Sequence, residues 1–229
     1  MVVIKIMFWY NKKMKKIHAK KILASSVVSL LLVQMFYTIV VEPSIVAAAT
    51  APDTVQVSLT VDSGITITAP TDITMTPNMG ISASGSIGTV VWNVKTNHAT
   101  GYSLAVKGPA SLPALQSGAN SFADYTETVA GTPELWSVAS GAKEFGYSSF
   151  GTDTIAAFGT GANCGTAGAP NATLKYVGFL TTDKIVSTRN VVTTPTGIDT
   201  TVCFAAQQNN IYAASGTYTT NITATATEI

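Results

Sequence analysis

Between Thr50 and Ile229, threonine and serine occupy 48 of 180 positions, and much of the threonine falls at every second residue between apolar or small neighbours. The end of the chain shows the pattern most plainly. From Gly216 to Glu228, Tyr218, Thr220, Ile222, Ala224 and Ala226 alternate with Thr219, Asn221, Thr223, Thr225 and Thr227. A period of two sends successive side chains to opposite faces of an extended backbone, so one face is solvated and the other is buried. Thr is stiff at χ1 and suits a pleated, half-buried surface better than a helix. A helical bundle is excluded, and the chain is expected to be all-β.

The same alternation predicts a strand through Val55, Val57, Leu59 and Val61, continued by Ile65 and Ile67 after the turn signal Asp62-Ser63-Gly64. Ile73 and Met75 follow, and a stronger strand runs from Thr89 to Thr96. Tyr102, Leu104 and Val106 alternate after Asn97–Gly101, so this pair is expected to form a hairpin. The stretch from Gly108 to Gly168 is rich in Gly, Ala, Ser and Pro. Short strands are expected there at Leu135–Val138, Phe145–Phe150 and Ile155–Phe158, and clearer ones at Ala172–Leu180, Lys184–Val192 and Thr200–Ala206. Many short strands separated by turn signals point to one antiparallel β-sandwich, Ig-like or Greek-key, over residues 50–229.

The chain ahead of it has a different character. Seven of the 13 basic residues precede Ile22, Ile22 to Val41 is an apolar run, and Glu42-Pro43 ends it. That order of basic, apolar and small-residue regions marks residues 1–49 as an export signal, with Ala47 and Ala49 as the small residues of a cleavage site. Met14-Lys15-Lys16 makes an ordinary signal start, so residues 1–13 read as a misassigned one. The competing reading is an uncleaved anchor helix, the one route by which this chain would meet a membrane.

From Thr50 onward, six basic and 11 acidic side chains give a net charge of −5, which argues against a nucleic-acid partner. Cys164 and Cys203, the only two cysteines, lie 39 residues apart in the exported part and are expected to be bridged. No cofactor or metal motif occurs, and no nucleophile elbow or paired-histidine zinc motif. His98 sits in a turn, and carboxylate pairs such as Glu127/Glu134 or Asp124/Glu144 would suit a glycosidase but read first as acidic residues of solvated loops. An enzyme is not expected. Among Trp92, Tyr102, Trp136, Tyr147 and Tyr176, Trp136 and Tyr147 are the candidates for stacking on a sugar, with packing between strands as the alternative. Asn171 and Asn221 match the glycosylation acceptor pattern.

Thr96-Asn97-His98-Ala99-Thr100-Gly101-Tyr102-Ser103-Leu104, Phe145-Gly146-Tyr147 and Ser215-Gly216-Thr217-Tyr218-Thr219-Thr220 together resemble secreted bacterial surface β-sandwich proteins of WxL-like type, found among candidate-phyla bacteria. The defining Trp-x-Leu tripeptide is absent: the chain has Trp136-Ser137-Val138 and Trp92-Asn93-Val94. The ending Gly216–Ile229 is also similar to the last strand of spore-coat-U-type pilus subunits, which strand exchange joins. Neither group brings catalytic residues. The resemblance implies an exported, extracytoplasmic, non-enzymatic surface protein with a structural or adhesive role, whose partners are a cell-wall or surface polymer or other surface proteins. A carbohydrate-binding module and a pilus-like subunit are the alternatives.

Overall fold

The computed structural model describes residues 26–35, 54–68 and 70–229. Two compact units are distinguished, Met1–Ser58 and Leu59–Ile229. In the first, residues 26–35 are helical. Among the described residues, no helix is long and apolar enough to cross a membrane. Ala47 and Ala49 of the expected cleavage site lie outside the described residues, as does most of the expected signal.

The second unit is built from strands. β1 (Ile65–Thr68), β2 (Gly85–Thr96), β3 (Tyr102–Lys107), β4 (Ala123–Asp124), β5 (Lys143–Gly151), β6 (Lys184–Arg189), β7 (Ile198–Gln208) and β8 (Thr223–Glu228) make its two larger sheets. The first is five-stranded in the order β1-β2-β7-β5-β4, and the second three-stranded in the order β6-β3-β8. All these pairings are antiparallel except that of β4 with β5. Glu134–Leu135 pairs with Lys175–Tyr176 in a small ribbon of its own.

The period of two decides which residues meet. Val90, Trp92 and Val94 of β2, Val202, Phe204 and Ala206 of β7, and Phe145 and Tyr147 of β5 are buried in one cluster with Tyr102, Leu104 and Val106 of β3. Residues of both sheets therefore share a single apolar core. β7 is unusual in being buried on both faces: Cys203 and Ala205, between the core residues, belong to a second cluster with Tyr125, Cys164, Leu174 and Tyr176. The run Val202–Ala206 is accordingly apolar without alternation, as a strand covered on both sides requires.

Several sequence expectations need correction. Of the strands expected at Leu135–Val138, Ala172–Leu180 and Gly216–Glu228, only Glu134–Leu135, Lys175–Tyr176 and Thr223–Glu228 form. β2 and β3 are not a hairpin, because they lie in different sheets. Their apolar faces meet in the core instead of their edges pairing, and the turn between them is fixed by Gly101, at φ +80, where a Cβ would stand 2.0 Å from Arg189 O. Ile155–Phe158 is not a strand: Ala156–Phe158 forms a 3-10 turn that buries Phe158. Val55 to Val61 form no strand and have no buried face; Val55, Val57 and Leu59 are each 86% exposed and Val61 73%. The cause is the end of the ladder. Ile65 stands opposite Thr96, the last residue of β2, so earlier residues have no strand opposite them. The chain is tied there by Asn97, whose Oδ1 accepts the Gly64 N–H at 2.7 Å and whose Nδ2 donates to Asp62 O at 2.8 Å.

Candidate functional site

The face of β7 turned away from the main core is covered by a layer of aromatic and polar side chains. Cys203, Ala205 and Gln207 share a face of β7 by alternation, opposite Val202, Phe204 and Ala206. Over them lie Tyr125, Trp136 and Tyr176. Tyr125 and Trp136 stack with ring centroids 4.6 Å apart at 19°, and Tyr176 meets Trp136 edge-on at 5.2 Å. These are the offset and T-shaped geometries that aromatic quadrupoles favour. Trp136 is held by its indole N–H, which donates to Gln207 Oε1 at 2.6 Å. The stack is possible because residue 146 is glycine: a Cβ there would stand 2.8 Å from Tyr125 Cβ and 3.2 Å from Trp136 Cζ3.

The disulfide lies in the same layer. Cys164 and Cys203 are bonded, with Cα atoms 5.2 Å apart, which ties the Gly-rich segment around Cys164 to the middle of β7. Tyr176 Oη donates to Cys164 O at 3.3 Å, and burial pushes this phenol up to about 12. Tyr125 Oη lies 3.0 Å from Leu135 O and 3.2 Å from Glu134 Oε1, and accepts the Ser137 N–H at 3.3 Å. Burial, reinforced by the Glu134 charge, pushes it to about 12, so it stays a neutral hydrogen-bonding group.

The acidic residues hold loops. Glu127 Oε1 accepts the Gly178 N–H at 2.6 Å, and its Oε2 accepts the Gly131 N–H at 3.1 Å. Asp124 Oδ1 accepts the Ala114 N–H at 3.1 Å, and burial raises the pKa of this carboxyl. Glu144 is raised as well, by burial first and by the nearby charge of Glu127 second. Glu127 thus uses both oxygens on backbone amides, and Glu134 accepts the Tyr125 hydroxyl.

Of the two stacking candidates, Trp136 is half-buried in the layer just described, whereas Tyr147 is 1% exposed. The Tyr147 ring packs against Phe158 and Phe179 in the main core, with centroids at 6.1 and 4.6 Å. It takes the packing alternative and has no face to offer a ligand. Trp92 and Tyr102 are core residues too. His98 Nδ1 lies 2.9 Å from Thr100 Oγ1 within its own turn. Asn171 Oδ1 accepts both the N–H and the hydroxyl of Thr173 at 2.8 Å. Among the described residues, no three His, Cys, Asp or Glu side chains come together as a metal-binding group.

Sequence reading missed Tyr125, Gln207 and the clamp at Glu127. The unbroken apolar run Val202–Ala206 is the signal that could have found the layer, since it marks a strand covered on both faces. No protein-family model, curated protein or solved structure matches this chain.

Proposed function

We propose that the chain is an exported, non-enzymatic cell-surface protein with a structural or adhesive role, and that its two sheets are the layers of a β-sandwich. The observation that carries this reading is the Cys164–Cys203 disulfide in the outer layer. Such a bond is compatible with an oxidising, extracytoplasmic compartment, where disulfides persist. The clustered core supports the sandwich, and the use of Glu127 and Asp124 on backbone amides supports a scaffold in preference to a hydrolase. The resemblance to WxL-like surface proteins supports the same role. Protease treatment of intact host cells tests it. Peptides from Leu59–Ile229 should be released without lysis; their release only after lysis would refute the surface assignment.

A carbohydrate-binding role is the second reading, favoured by one observation: the half-buried Trp136 ring stacked on Tyr125. A glycan array probed with the native protein and with Trp136→Phe separates the two. Loss of a glycan signal on this substitution would favour the binding module, and no signal in either protein favours the scaffold.

A further inference from the structure

We propose that the polar end of the main core binds an ordered water molecule, which bridges Tyr102 of one sheet to Thr200 of the other. The site is separate from the aromatic layer and does not depend on the surface role proposed above.

The alternation that builds the core also brings hydroxyls together. Thr200 lies on the Val202 face of β7, and Ser149 of β5 stands opposite Val202, so both turn toward the core. From the second sheet come Tyr102 of β3, itself a core residue, and Ser187 of β6, which stands opposite Leu104. All four are 0% exposed. Thr154 bridges to Ser187 and reaches the same end: its hydroxyl lies 3.4 Å from where a Cβ would stand on Gly151, the residue opposite Thr200. Along β5 the core face dwindles from Phe145 and Tyr147 to Ser149 and Gly151, which gives this end to small polar groups.

Most of these hydroxyls lack partners. Among the described residues, Tyr102 Oη, Ser149 Oγ, Thr154 Oγ1 and Thr200 Oγ1 are buried and make no hydrogen bond. Ser187 Oγ donates to Asp153 O at 3.0 Å and keeps its lone pairs to accept. Burial pushes the Tyr102 phenol up, while the Ser187 and Thr200 hydroxyls, one from each sheet, are near enough to oppose the rise. A buried hydroxyl without a partner is costly, and several at one end of a core call for a partner they can share.

Water suits this set better than an ion does. Hydroxyls both donate and accept, as water does, and a buried water makes about three hydrogen bonds to groups of this kind. The charged groups beside the cluster cancel: Arg189 Nη1 lies 3.2 Å from Asp153 Oδ2, and both side chains are largely buried. A lone cation or anion would find no spare counter-charge in a setting where bare charge is expensive. An apolar occupant would leave every hydroxyl unpaired. A water between Thr200 and Tyr102 ties the two sheets together where apolar packing gives way to hydroxyls.

The test is crystallography, at a resolution that shows solvent, of the protein as its host delivers it and of its Thr200→Val variant. In the parent, a solvent peak should lie within about 3.2 Å of both Tyr102 Oη and Thr200 Oγ1. Thr200→Val keeps the branched shape and removes one of the two bridged groups, so the peak should weaken or vanish with the backbone unmoved. In solution, the Tyr102 hydroxyl proton should show a nuclear Overhauser effect to a long-lived water. Hydroxyl-to-hydroxyl bonds that close the cluster without solvent, a peak with the contacts and density of an ion, or a peak unchanged by Thr200→Val would each overturn the proposal. If Thr200→Val fails to fold, the parent's map and the Overhauser effect decide. No outcome depends on where the protein is located, so the water site can fail while the surface assignment stands.

Discussion

Glu127 holds two loops through one carboxylate, and removing it leaves the Gly131 and Gly178 amides without their acceptor. A buried donor left unpaired costs about 1 to 3 kcal/mol, so Glu127→Ala should lower the unfolding midpoint clearly, whereas Glu127→Gln should lower it less. Gly146→Ala should also destabilise, by about 1 to 3 kcal/mol, since a Cβ meets Tyr125 and the Val177 carbonyl, each at 2.8 Å. Near-ultraviolet circular dichroism of the Tyr125–Trp136 stack checks that the layer is what yields. Glu144 behaves in the opposite sense. Burial raises its folded pKa above that of an ordinary glutamate, so the folded state holds the proton more tightly and becomes more stable as pH falls through the folded pKa. Glu144→Gln should therefore be more stable than the parent at pH 7, and the difference should vanish below the unfolded pKa. None of these roles was legible in the sequence, where carboxylates in Gly-rich loops look alike. The pairing of Cys164 with Cys203 was legible, because two cysteines allow one bridge.

At the scale of elements, the sequence pattern located β2, β3, β5, β6 and β7 and, of the expected Gly216–Glu228 strand, the Thr223–Glu228 part that forms β8, whose faces alternation placed. Ile222 is partly buried against the core and Thr223 is exposed. Ile222→Asp should consequently unfold the domain, because it sets a charge against the core, whereas Thr223→Asp should leave the stability within about 0.5 kcal/mol of the parent. Thermal melts of the two variants check the pair. Alternation did not reveal which strands pair. β2 and β3 follow each other across a five-residue turn, as hairpin strands do, yet join separate sheets. Whether two amphipathic strands lie side by side or face to face is decided by what else fills the core, and period alone is silent on that. The same limit applies to Val55–Val61, where alternation predicts a strand that the structure does not form, because β2 ends opposite Ile65 and offers these residues no partner.

For the whole molecule, composition excluded a helical bundle, and the structure is mainly β with several antiparallel sheets. The second aromatic layer was the part least visible beforehand, because its residues come from short ribbons and loops that are ordered by packing and by the disulfide rather than by local preference. That bond closes a 39-residue separation, so Cys203→Ala should lower stability by about 2 to 5 kcal/mol. The central claim is that the protein works outside the cytoplasm with this bond formed. Non-reducing peptide mapping of the protein recovered from the host's surface fraction tests it most directly. The account predicts that the Cys164 and Cys203 peptides are found linked in that fraction. Recovery of the protein in the cytoplasmic fraction with both thiols free would contradict it.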